Sequence, residues 1–357
     1  MKQTILMTGG GTLGPVTPLL AIAKRWQEVD PDVDVAWVGT AEGPEAEVVA
    51  AHGYAFHAMH VPKLSRHAWW TWPLVLPQLL MSCIRAYRLL DELRPEIVFT
   101  AGGYTSVPFV WMARLIGIPT WVHQLDVLPG LANRLMAPFA TRVSVTWEES
   151  AAAFGAEKTL IVGGMVRPDI LSGSREAFLR EHKLDPERKT VLVFGGGTGA
   201  EQINDAMLVI GRELTTRFNV VHITGKGKMR EAFHEMGPAY VAYEFFNTEM
   251  KHALSAADVV VARAGMGSML ELIALQKPSI LIPILGSHQE ANARVARERG
   301  VARVITALTP QVLQQEIVRL ATNTEMVRDM KYAMEKALTM DADRKIVAKA
   351  REIVGVG

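Results

Sequence analysis

Runs of strand-forming residues recur through the first half of the chain, at Ile5 to Met7, Val33 to Val38, Ile97 to Thr100 and Thr120 to His123, separated by longer segments of helical apolar spacing. That alternation predicts a parallel α/β sheet. After Val162 the rhythm breaks at a loop, residues 163–168, and restarts with runs at Val191 to Phe194, Val220 to Thr224, Val259 to Ala262 and Ile280 to Ile282. The predicted division is a first domain over residues 1–163 and a second over 164–340. A terminal segment, 341–357, holds a helix from Ala342 to Ile353, and the sequence leaves open whether it crosses back to the first domain. Both halves open alike, with Gly9-Gly10-Gly11-Thr12-Leu13-Gly14 closing one strand and Gly195-Gly196-Gly197-Thr198-Gly199 closing another. The expected fold class is α/β, two doubly wound Rossmann-like domains facing across a cleft, with both glycine turns at the carboxyl ends of their sheets.

Composition narrows the function classes. A chain of 357 residues can bury two ordinary cores, and a formal net charge of +1 gives no global field for nucleic acid or another polyanion. The single cysteine, Cys83, cannot close an internal disulfide and fits a reducing, cytoplasmic compartment. The apolar run before the first glycines is too short for a signal peptide and reads as a strand. No apolar run reaches the ~20 residues of a membrane span, so a soluble or peripheral protein is expected. Residues 61–90 come nearest, with Trp69, Trp70, Trp72 and Leu76 set among Lys63, Arg66, Arg85 and Arg88. A core helix is the plain alternative, but three near-adjacent indoles cannot all face one small core, and indoles beside basic residues suit a lipid headgroup boundary.

Glycine turns between strand and helix let backbone N–H groups approach an anion at the helix N-terminus. Two in corresponding places, one carrying the hydroxyl of Thr198, favour phosphate. The segment Ala257 to Glu271 joins a buried strand, a glycine turn (Gly265, Gly267) and a helix bearing a carboxylate. Glu271 can accept from both vicinal hydroxyls of a ribose; its bland alternatives are an exposed helix charge or an ion pair with Arg263. Gln289 and Asn292 lie three apart on one helical face, and amides that donate and accept suit sugar hydroxyls. Two Asp-X-Asp spacings, Asp30 to Asp34 and Asp341 to Asp343, fall before a strand and at a helix start, where turn and cap roles are expected instead of a metal site.

Taken together, GGGTLGPVTP, AGGYTSVP, HQLDVLPGLANRLMA, GGMVRP, FGGGTGAEQIN, RAGMGSMLE and HQEANA, in order from residue 4 to about 300, resemble the MurG family of peptidoglycan N-acetylglucosaminyltransferases. The resemblance implies GT-B architecture and an inverting, metal-independent transfer from UDP-N-acetylglucosamine to a polyprenyl-pyrophosphate-linked sugar, without a cofactor, at the cytoplasmic face of the plasma membrane. It implies an acceptor and membrane-facing first domain and a donor-binding second domain. Carried over, Arg167, Gly196, Gly197 and Thr198 would serve the donor pyrophosphate, Phe246 and Asn247 the uracil, and Glu271 the ribose. Met266, Gln289 and Asn292 would lie near the donor sugar, and Gly267, Ser268 and His288 would be further donor-binding positions. Gly10, Gly11, Thr12, Leu13, Gly14, Tyr104 and Asn133 match the acceptor side. The chain also departs from the family. Pro15 replaces a histidine in the first loop, the family's HEQN becomes His123-Gln124-Leu125-Asp126, its GNPVR segment becomes Gly164 to Arg167, and Thr198 and His288 replace a serine and a glutamine.

Attack by a sugar hydroxyl benefits from a general base. Asp126 is the first candidate and His123 the second, and the bland alternative for Asp126 is a cap on the helix that begins near Pro129. Other acceptors, such as a dolichyl-linked sugar, stay open, as do a non-hydrolysing UDP-N-acetylglucosamine 2-epimerase and a non-catalytic UDP-sugar-binding protein.

Overall fold

The computed structural model describes residues 3–11, 14–41, 43, 45–62, 72–195, 200–246 and 248–355. Thr12, Leu13, Trp69, Trp70, Gly196, Gly197, Thr198 and Asn247 lie outside the described residues. The chain forms two compact units, one of Met1–Met165 with Met340–Gly357 and one of Val166–Thr339.

The first unit alternates strand and helix: β1 (Thr4–Thr8), α1 (Val16–Val29), β2 (Asp34–Gly39), α2 (Glu45–Ala51), β3 (Ala55–Ala58), α3 (Trp72–Leu93), β4 (Ile97–Thr100), α4 (Val107–Leu115), β5 (Thr120–Gln124), α5 (Leu131–Met136), β6 (Arg142–Val145), α6 (Glu148–Ala151) and β7 (Thr159–Ile161). Its described strands make one seven-stranded parallel sheet in the order β3-β2-β1-β4-β5-β6-β7. Both faces are covered, so β1 is buried almost throughout. Ile5 and Met7 join a core with Trp26, Trp37 and Phe99, while Leu6 faces a second core with Val38, Leu90 and Phe109.

The second unit repeats the plan: α7 (Arg175–Glu181), β8 (Thr190–Phe194), α8 (Glu201–Leu214), β9 (Asn219–Ile223), β10 (Tyr240–Tyr243), α9 (Met250–Ala256), β11 (Val259–Ala262), α10 (Met266–Ala274), β12 (Ser279–Leu281), α11 (Gln289–Glu298), β13 (Arg303–Val304), α12 (Pro310–Thr322) and α13 (Thr324–Ala337). Its described strands run parallel in the order β10-β9-β8-β11-β12-β13. In each unit the order reverses beside the first strand, the switch point where α/β sheets open a crevice at their carboxyl ends.

The last helix, α14 (Ala342–Val354), belongs to the first unit. Ala342, Ile346, Val347 and Ala350 bury one face in the core that holds Trp26 of α1, and Arg25 Nε donates to Asp343 at 2.8 Å. Lys345 Nζ donates to the Val162 carbonyl at 3.2 Å. Three of the Asp-X-Asp carboxylates serve ion pairs here: Asp30 lies 3.8 Å from Arg351, Asp341 2.9 Å from Lys345, and Asp343 is held by Arg25.

Candidate active site

In the first unit the carboxyl ends of β1, β4 and β5 carry the glycine loop, Tyr104 and Asp126. Sequence reading missed the residue that shapes the loop. Glu45, the first residue of α2, is wholly buried, and its Oε1 accepts from Gly11 N at 3.0 Å, Thr40 N at 2.7 Å and Thr40 Oγ1 at 2.5 Å. A Cβ on Gly10 would come within 2.1 Å of that oxygen, and Gly11 has φ +84° with Tyr104 against it. Glycine at these positions is therefore required by the carboxylate and by a left-handed backbone, and the Gly11 N–H is already spent. Ser106 Oγ lies 2.9 Å from the Thr8 carbonyl and 3.1 Å from that of Gly102, its one hydrogen shared between them, tying β1 to the turn before Tyr104.

At the end of β5, His123 and Asp126 part company. His123 is enclosed, with Nδ1 2.9 Å from Ser144 Oγ and Nε2 3.4 Å from Thr146 Oγ1. Burial pushes its imidazolium pKa down to about 4, so the ring is neutral at physiological pH. Sealed from solvent and committed on both nitrogens, His123 has a structural place. Asp126 is partly exposed. The N-cap position of α5 is Gly130, four residues after Asp126. Asn133 is buried, its Nδ2 donating to Gln124 Oε1 at 2.6 Å and the His123 carbonyl at 3.3 Å.

In the second unit the corresponding ends are those of β8, β11 and β12. Glu271, in the second turn of α10, is paired with Arg167: Nη2 to Oε1 is 3.4 Å. Arg263, the partner weighed from sequence, is engaged elsewhere. Its Nη1 donates to the Ile282 and Pro283 carbonyls at 3.2 and 3.3 Å, and Nη2 to Gln202 Oε1 at 3.2 Å. It locks the ends of β11 and β12 to α8. Burial pushes the Glu271 carboxyl above the usual carboxylate range, and Arg167 pulls it part of the way back. Gly265, Gly267 and Ser268 lie at the start of α10 and are partly exposed, while the Met266 side chain turns inward and is buried. On α11, His288 is exposed at the N-cap and Gln289 is half-buried, its Oε1 accepting from Ile284 N at 3.2 Å. Asn292 is fully buried and donates to the Ala264 carbonyl at 3.1 Å, bracing the glycine turn from below. Phe246 packs against Tyr243, with ring centroids 4.7 Å apart, and edge-on to Phe178.

Among the described residues no helix is long and apolar enough to cross a membrane, and no group of three His, Cys, Asp or Glu side chains is placed to hold a metal ion.

The sequence matches the glycosyltransferase family 28 N-terminal domain over residues 5–145 and the family 28 C-terminal domain over residues 190–348. It is 33% identical, over 98% of both chains, to the protein of Geobacillus kaustophilus named UDP-N-acetylglucosamine--N-acetylmuramyl-(pentapeptide) pyrophosphoryl-undecaprenol N-acetylglucosamine transferase. The chain belongs to the MurG family of glycosyltransferase family 28. As in GT-B proteins, each half of this MurG-family chain is a Rossmann-like parallel sheet. The crystal structure of Acinetobacter baumannii MurG superposes with a TM-score of 0.76 at 21% identity, covering 99% of this chain and all of that one. A putative UDP-N-acetylglucosamine 2-epimerase of Listeria monocytogenes superposes at 0.72 with 13% identity, covering all of this chain and 98% of that one. The fold is thus shared by two kinds of protein, and the MurG-family assignment rests on sequence.

Proposed function

We propose that the protein transfers N-acetylglucosamine from UDP-N-acetylglucosamine to a polyprenyl-pyrophosphate-linked sugar, with inversion at the anomeric carbon, as in the conversion of lipid I to lipid II. The observation that carries this reading is the match, along almost the whole chain, to relatives named for that reaction. The partly buried Glu271–Arg167 pair in the C-terminal unit gives it a chemical footing. In this reading the C-terminal unit holds the donor. Glu271 takes the ribose hydroxyls, Gln289 the sugar, the backbone beside Phe246 the uracil, and Arg167 with the helix N-termini stabilises the departing UDP. The N-terminal unit takes the acceptor, and Asp126, the partly exposed carboxylate after β5, accepts the proton of the attacking hydroxyl.

The same reading places the protein peripherally at the cytoplasmic face of the membrane. Its support is a stripe on α3, where Leu76, Leu80, Ile84 and Tyr87 are 58, 64, 39 and 46% exposed, with Arg85 and Arg88 also exposed on that helix. These apolar positions are spaced to share one helical face.

The test is an acceptor panel: purified protein, UDP-N-acetylglucosamine, and polyprenyl-pyrophosphate sugars with and without a peptide, read by UDP release and product mass. Disaccharide formation on the MurNAc-pentapeptide lipid is expected. Formation of UDP-N-acetylmannosamine without any acceptor would replace this reading by the epimerase.

A further inference from the structure

Four rings meet beyond the end of β10. The buried ring of Phe246 has its centroid 4.7 Å from that of Tyr243, 6.0 Å from Phe178 and 6.2 Å from His182. His182, just past α7, closes the group: its ring lies 4.2 Å from Phe178 and 5.2 Å from Tyr243, and its Nδ1 is 2.7 Å from the Tyr243 hydroxyl. His182 Nε2 is buried with no partner among the described residues, so on that side the imidazole serves only as a flat ring. Burial also pushes its pKa down, which keeps it uncharged at physiological pH. Phe245 is exposed instead, with Lys226 Nζ 5.0 Å from its ring centre.

The backbone here is tied on one side only. The carbonyls of Tyr243 and Glu244 accept from Thr224 N at 2.8 Å and Gly225 N at 3.0 Å, and there the ladder stops. Among the described residues none hydrogen-bonds the N–H or carbonyl of Phe246. A free N–H beside a free C=O matches the edge of uracil, where O4 accepts and N3–H donates. It mismatches cytosine, whose N3 accepts and whose N4 donates.

We propose that Phe178, His182 and Tyr243 are positioning residues for base selection: by seating the Phe246 ring they fix the peptide groups that tell uracil from cytosine. The proposal rests on the reading that the uracil lies against the Phe246 backbone. Hydrogen bonds weaken steeply as donor and acceptor leave line, so a ring free to rock slackens both bonds to the base. Ribose and pyrophosphate contacts come from other elements and do not share that dependence.

The experiment is calorimetry with UDP and CDP, read as the ratio of their Kd values, with a thermal midpoint for each variant to show that it is folded. The parent should favour UDP. His182→Ala opens the cluster and should cut that preference by about tenfold, the scale of one or two lost aromatic contacts. His182→Phe keeps a ring and should keep a ratio near the parent's. Glu271→Gln, acting at the ribose, should weaken both nucleotides alike and leave the ratio unchanged. Should His182→Ala not fold, Tyr243→Leu, which also removes a ring, carries the same expectation. A parental ratio in the ring-deleted variant, or an equal loss in His182→Phe, would overturn the proposal. Phe246→Ala separates the layers. If it loses the preference while His182→Ala and Tyr243→Leu keep it, the uracil reading stands and the positioning role falls. If Phe246→Ala keeps the preference, or the parent has none, the base is not read at Phe246 and both fall.

Discussion

Arg167 reaches across 104 positions of sequence to place Nη2 3.4 Å from Glu271 Oε1, and it is the cationic partner of a carboxylate whose side chain is only 12% exposed. Arg167 is 27% exposed and also lies 3.7 Å from Asp169, so it does not depend on Glu271 for a counter-charge.

That asymmetry predicts opposite effects on binding and stability. Glu271→Gln should weaken UDP by about ten- to a hundredfold, the equivalent of about 1.5–3 kcal/mol for hydrogen bonds to a charged group. The folded-state pKa of Glu271 is raised, so its ionisation costs the fold stability as pH climbs through that pKa, and the neutral amide escapes the cost. The thermal midpoint of Glu271→Gln at neutral pH should therefore match or exceed the parent's. Calorimetry with UDP and a melting scan check both; a steep fall in midpoint with UDP binding intact would mark Glu271 as structural.

Asp126→Asn keeps the size and much of the hydrogen bonding of the side chain while removing its basicity. Turnover under saturating substrates should drop about 10²–10⁴-fold, the usual contribution of a general base, with donor affinity preserved. Near-parental turnover would move the base elsewhere.

Replacing Leu76, Leu80 and Ile84 with Ser removes three exposed apolar side chains from α3 without touching its buried face of Ser82, Cys83, Ala86 and Leu90. Co-sedimentation with anionic vesicles should fall by roughly tenfold or more, since each buried methylene counts for about 0.8 kcal/mol. Donor binding should be unchanged. Added salt should weaken only the Arg85 and Arg88 component, so equal vesicle binding by variant and parent at high salt would refute the stripe.

Two buried histidines predict acid sensitivity. Besides His123, His222 is held between Tyr240 OH, at 2.7 Å, and Asn204 Oδ1, at 3.0 Å, and burial pushes its pKa down to about 3. Both rings stay neutral in the fold, while the unfolded chain takes up protons below about 6.5. Stability is therefore full above that pH and falls as pH drops toward 4. Denaturant unfolding across this window should show the decline, and His123→Gln should flatten it by up to about 1.4 kcal/mol per pH unit. An unchanged slope would mean that His123 is not protonated on unfolding.

The sequence by itself determined the strands and the turns that end them. Val259 to Ala262 and Ile97 to Thr100 are strands with the bounds read from their apolar runs, because a parallel strand covered on both faces leaves no polar position to blur its ends. The glycine turns after β1 and β11 were equally legible, since glycine marks backbone that other residues avoid. The tertiary structure alone decided which distant side chains meet. Glu45 gave no signal, being one carboxylate among several at a helix start, and it matters only because β1 and β2 lie side by side and bring Gly11 and Thr40 to it. Gln124 read as the loss of a carboxylate, and the bond from its Nε2 to the Asp126 carbonyl depends on how the chain turns after β5. From sequence Glu271 was open between an exposed helix charge and a partner of Arg263, and folding gave it Arg167 while the ends of β11 and β12 claimed Arg263. Periodicity is local and survives in one dimension, whereas an ion pair or a buried amide is fixed by what folding brings within about 3 Å, which no spacing along the chain encodes.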